Sequence, residues 1–158
     1  MNAQRSDRER QQLMYKQILI ATDGSEIGNK AITHGIELAK TLGAKLSAVT
    51  VTEPLETIVV VETMAMINPG DYDKQCKVSA NKILSVVTSA AQAAGIQCNV
   101  IHVQNRLPYE GIIEAAAKVD ADLIVLGSHG RRGIEGLLLG SQATKLLTHT
   151  KVPALVVR

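Results

Sequence analysis

The stretch from Ala121 to His149 constrains the fold of this chain more than any other. Ala121-Asp-Leu-Ile-Val-Leu126 is a short aliphatic run that reads as a buried strand. It leads into Gly127-Ser-His-Gly-Arg-Arg-Gly-Ile-Glu-Gly-Leu-Leu-Leu-Gly-Ser141, and from Gln142 to His149 the apolar positions recur at helical spacing. The order is strand, glycine-studded loop, helix. Glycines at 127, 130, 133, 136 and 140 are expected to give the backbone positive φ angles and to let a ligand approach with no side chain in the way. Ser141, at the expected first turn of the helix, adds a hydroxyl and free amides where the helix dipole favours negative charge. That arrangement suits phosphate. Loops of this kind also exist only to turn the chain, and the glycines alone leave both readings open.

The rest of the chain repeats the alternation. Ile18-Leu-Ile-Ala21 is a continuous aliphatic strand ending in Thr22-Asp23-Gly24-Ser25. Ser25 is expected to cap a helix with Glu26 in its first turn, Ala31, Gly35, Leu38, Ala39 and Leu42 on one face, and Gly43 as its stop. Lys45 to Thr52 reads as a second strand. From Leu55 to Asp73 no clean period appears, so this stretch is a connecting loop or a flap over a ligand. A helix is predicted from about Tyr72 to Ala94, with Cys76, Ala80, Ile83, Leu84, Val87 and Ala91 facing inward. Gln97 to Val103 gives a third strand with Cys98, Val100 and His102 on one side. Pro108 suits a helix first turn, with Ile112, Ile113, Ala116 and Ala117 as the packing face. A final strand is expected at Ala154 to Val157. Strands alternating with helices, without strong hairpin signals, predict a parallel sheet with right-handed crossovers.

At 158 residues the chain suits one well-buried domain. With three Tyr and no Trp or Phe it lacks the aromatic platforms that stack nucleic-acid bases, and a net charge of +2 does not call for a polyanion. No nucleic-acid partner is expected. Cys76 and Cys98 stand on different predicted elements without a Cys-x-x-Cys spacing, and read as reduced, part-buried thiols. Residues 1 to 14 are expected to be a flexible polar tail ahead of a domain from 15 to 158, with no signal-peptide core and no apolar run of membrane-spanning length. The expected compartment is the cytoplasm.

Two common phosphate motifs are missing: there is no Gly-x-x-x-x-Gly-Lys-Ser/Thr, and no Gly-x-Gly-x-x-Gly follows the first strand. The spacing present is Gly127-x-x-Gly130, nine residues, then Gly140-Ser141. It resembles the nucleotide-binding signature of the universal stress protein family. The resemblance runs from Tyr15 onward and includes Ile18-Leu-Ile-Ala-Thr-Asp-Gly-Ser25 and Val152-Pro-Ala-Leu-Val-Val-Arg158. It implies a single-domain α/β fold with an open five-stranded parallel sheet in the order 3-2-1-4-5, Rossmann-like, with helices on both faces. It also implies a homodimer, a role in stress or starvation, and the branch of the family that binds ATP.

In such a sheet the ligand crevice lies beyond the carboxyl ends of the strands, where the strand order reverses. Family topology puts that reversal between the first and fourth strands, so Asp23 and Gly127 would meet around one ligand. Asp23 alone reads as a turn former before Gly24, whereas the resemblance implies a nucleoside contact. Backbone groups near Ala21, Thr22, Val49 and Val51 are candidates for holding adenine. Gly127, His129, Gly130, Gly140, Ser141, Gln142 and Ala143 are candidates for the phosphates, with Mg or Mn carried on those phosphates. Arg131 and Arg132 are further possible charges. The family often places small or apolar residues after Gly-Ser, whereas this chain has Gln142 and then Ala143. Thr144 offers a hydroxyl that would compensate.

No catalytic residue is assigned. A Gly-x-Ser-x-Gly elbow is absent, the four His at 34, 102, 129 and 149 fall on unrelated elements, and no metal-ligand spacing links them. Glu53, Glu56 and Glu62 are carboxylates in the flap region. The readings to be separated are an ATP-binding regulator, an interaction module of the same fold without nucleotide, and a slow ATPase. Val152 to Arg158 is expected at a sheet edge, pairing across a two-fold axis, with charged substitutions at Leu155 and Val157 favouring monomer.

Overall fold

Alternating side-chain direction along five short strands decides the layers. A computed structural model gives the fold and describes residues 14–58, 66–130 and 139–158. Strands β1 (Gln17–Ala21), β2 (Lys45–Thr52), β3 (Cys98–Gln104), β4 (Leu123–Gly127) and β5 (Ala154–Val157) form one parallel sheet in the order β3-β2-β1-β4-β5. Between them lie α1 (Glu26–Leu42), the short α2 (Leu55–Ile58), α3 (Pro69–Ala93), α4 (Pro108–Lys118) and α5 (Ser141–His149). On one face Ile18, Ile20, Ala48 and Val125 pack against α1 and α3 through Ile32, Ile36, Leu84 and Val87. On the other, Leu19, Val49, Ile124 and Leu126 pack against α4 and α5 through Ile112, Ala116, Ala143 and Leu146. The strands are apolar on both sides because both sides are covered. The parallel architecture is the one the alternation of strands and helices predicts, and the strand order is the one the resemblance implies.

The helix ends obey local chemistry. Ser25 caps α1 by accepting from the Gly28 amide at 3.1 Å, and Gly43 ends it at φ 66°. α1 sits low on the sheet at Gly35, where a Cβ would come within 2.5 Å of Ile20 Cγ1.

Several expectations need correction. α3 starts at Pro69 rather than Tyr72, because the Asn68 side chain caps it by accepting from the Gly70 amide at 2.9 Å, with Pro69 in the first turn. The stretch read as an unstructured connection therefore holds α2 and the start of α3. Val100 is 41% exposed, while Ile101 and Val103 are buried. β3 is an edge strand, and the helix layer covers only part of its outer face. On α4 the buried set is Gly111, Ile112, Ala115 and Ala116, while Ala117 faces solvent, since 112, 115 and 116 keep the helical spacing and 117 falls outside it. Val157 is buried in the core and Leu155 is exposed, so only Leu155 can carry a charge without disrupting packing. The tail to residue 13, Glu62, Arg131, Arg132, Gly133 and Gly136 lie outside the described residues.

Candidate functional site

Parallel register brings the two unusual strand ends together. Ala21 pairs with Leu126, which sets Thr22 beside Gly127 where β1 and β4 both leave the sheet. β2 pairs with β1 only as far as Val49 and continues to Thr52 against β3. The Val49 carbonyl accepts from the Thr22 amide at 3.1 Å. Main-chain direction alternates along a strand, so the amide and carbonyl of Val51 point to the same side, past the end of β1 and into the crevice.

Thr22 and Asp23 form a tight turn. The Thr22 hydroxyl accepts from the Gly24 amide at 3.2 Å, and Asp23 Oδ1 accepts from the Ser25 amide at 3.0 Å. The second oxygen of Asp23 lies against the glycine loop, 2.7 Å from where a Cβ of Gly130 would stand. Thus Asp23 is both a turn former and a carboxylate turned to the loop.

The glycine loop is pinched at its base. Gly140 donates to the Ser128 carbonyl at 2.7 Å, and Ser128 donates to the Val157 carbonyl at 2.7 Å, tying the loop to β5. The Ser128 hydroxyl and His129 Nδ1 are 3.1 Å apart. Gly127, Gly130 and Gly140 do not have positive φ, contrary to expectation. Gly127 and Gly130 are needed for space instead, since a Cβ at Gly127 would lie 2.5 Å from Ile27 Cγ2 and one at Gly130 would strike Asp23. Gly140 is the N-cap of α5, whose first turn has neither a side-chain cap nor an acidic residue. The amides of Ser141, Gln142 and Ala143 are therefore presented to any anion at that end.

These segments surround one cleft of about 740 Å³. Ala21, Thr22, Asp23, Val49, Val51, Gly127, His129, Gly130, Gly140, Ser141, Gln142 and Ala143 all line it. Thr144 does not line it; its hydroxyl donates to the Gly140 carbonyl at 3.0 Å, which removes the compensating role expected of it. The Gln142 side chain has a structural duty, accepting from the Tyr109 amide at 3.2 Å and so capping α4, which has no cap of its own.

Sequence reading missed the far wall. Tyr72, Gln75, Cys76 and Ser79 of α3 line the cleft, Cys76 there instead of in the expected core stripe, and Lys145 of α5 lines it as well. Burial, then the Cys76 thiol, pushes the Tyr72 phenol well above its usual range, so it stays neutral and donates to the Glu53 carbonyl at 2.7 Å. Helical spacing could have flagged Lys145, four residues beyond Ser141. Among the described residues no group of three His, Cys, Asp or Glu side chains could hold a metal ion, and no helix is long and apolar enough to cross a membrane.

The family model described as "Universal stress protein family" matches residues 14–158. Universal stress protein MJ0531 of Methanocaldococcus jannaschii is 31% identical over 148 residues, spanning 92% of this chain and 83% of that protein. The solved structure of hypothetical protein MJ0577 superposes with a TM-score of 0.75 at 26% identity, covering 92% of this chain and 96% of that one. A universal stress protein solved in complex with cAMP superposes with a TM-score of 0.64 at 26% identity, covering 92% and 98%.

Proposed function

The chain belongs to the universal stress protein family, and on that premise we propose that it is a regulatory protein that binds an adenine nucleotide, ATP first among them, between the ends of β1 and β4. The observation that carries this reading is the meeting of Asp23 with Gly130, 107 positions apart (130 minus 23), across a crevice with helix amides at one end and free strand backbone at the other. Asp23 accepts from ribose hydroxyls. Val51 offers its main-chain donor and acceptor to the adenine edge. Gly130, Gly140 and the first-turn amides of α5 take the phosphates, with His129 beside them. A relative of the same fold held with cAMP supports this class of ligand.

Mg or Mn rides on the phosphates in this reading, because the described residues gather no ligand set for a bare ion. The working domain is 15–158, acting in the cytoplasm during stress. It pairs as a homodimer through β5, whose outer edge has no neighbouring strand among the described residues.

Thermal unfolding tests the nucleotide reading. Mg-ATP at about 100 times its dissociation constant should stabilise the fold by roughly 2.7 kcal/mol. That corresponds to a rise in melting temperature of roughly 5 to 10 °C for a domain of this size. No shift at millimolar Mg-ATP would remove this function and favour an interaction module without nucleotide.

A further inference from the structure

Among the described residues that line the cleft, Lys145 is the single cation, set against the carboxylates of Asp23 and Glu53. It stands one helical turn after Ser141 on the same face of α5. Side chains on a helix lean toward its N-terminus, so Lys145 reaches back over the turn that presents the free amides. The described ion pairs do not include it; its ammonium lies 5.7 Å from the centre of the Tyr109 ring. That ring belongs to the first turn of α4, which Gln142 holds to α5 through the Tyr109 amide. The first turn of α5 holds no acid that could compete for the ammonium. A cation resting on a half-buried aromatic face is weakly held, and a phosphate oxygen is a stronger partner for it.

We propose that Lys145 reads the length of the phosphate chain, leaving Tyr109 to pair with the outer phosphates, so that the cleft favours ATP and ADP over AMP. This rests on the nucleotide reading above. The α5 amides hold the first phosphate, and Lys145 is the added charge for those beyond it. Its four-carbon stem and compact ammonium suit a mobile contact.

Calorimetric titration of the full chain with ATP and with AMP, repeated for Lys145→Gln and Lys145→Arg, tests the proposal. The native chain should bind ATP more tightly than AMP. Lys145→Gln should cut the ratio of the two affinities about tenfold, the size of a lost charge-assisted contact, and Lys145→Arg should keep most of it. Lys145 is exposed, so both variants should melt with the native chain. If the native chain binds both nucleotides but Lys145→Gln leaves the ratio intact, Lys145 does not read phosphate number and the nucleotide reading survives. If the native chain binds neither, both proposals fall.

Discussion

Gly130 shows what one missing side chain does at this site. Its backbone does not need glycine's freedom; the space is what matters, because Asp23 Oδ2 occupies the place a methyl group would take. In Gly130→Ala the carboxylate or the loop must move, and neither buried core layer includes the position. ATP affinity is expected to fall by about tenfold or more, in line with losing a hydrogen bond to a charged group. The melting temperature should change by no more than about 2 °C, as for surface substitutions elsewhere. Native affinity in titration calorimetry would show that Asp23 and Gly130 do not act together. Gln142 teaches a different lesson. From the sequence it is a misfit after Gly-Ser, and in the fold its amide caps a neighbouring helix, a partnership between residues 33 apart that no local pattern announces.

Among the elements, β5 carries the clearest consequence. Its Leu155 and Val157 point to the same face of the strand, yet Leu155 is 38% exposed while Val157 is buried, so cover on that face ends between them. If β5 forms the proposed two-fold contact, Leu155→Glu should move the sedimenting species from dimer to monomer with the fold retained. A dimer that persists would place the interface elsewhere, and a native chain that sediments as monomer would remove it. The elements were legible where chemistry is local: aliphatic runs marked β1, β2 and β4, Ser25 and Gly43 bracketed α1, and Pro108 opened α4. They were less legible where burial depends on neighbours. Val100 alternates correctly but lies on a sheet edge, and Ala117 is as apolar as Ala115 yet points outward. Composition cannot tell two alanines apart; the angle at which α4 meets the sheet does.

At the scale of the whole molecule, strand order does the work. Because β1 sits between β2 and β4, its loop and the loop after β4 open on the same side, and β2 outruns β1 by enough to expose Val51 backbone. The near side of the cleft could be read from sequence because glycines and an acid stand at strand ends. The wall from α3 could not, since Tyr72, Gln75, Cys76 and Ser79 reach the cleft only through the packing of a long helix across the sheet. The central claim is that this one cleft takes the nucleotide. Amide NMR of the isotope-labelled chain titrated with Mg-ATP tests it most directly. Nucleotide bound in this cleft should give saturable shifts grouped at residues 21–23, 49–53, 127–130 and 140–145, with Val51 among the largest. Saturable shifts grouped away from the ends of β1 and β4, or a spectrum that ATP leaves unchanged, would contradict it.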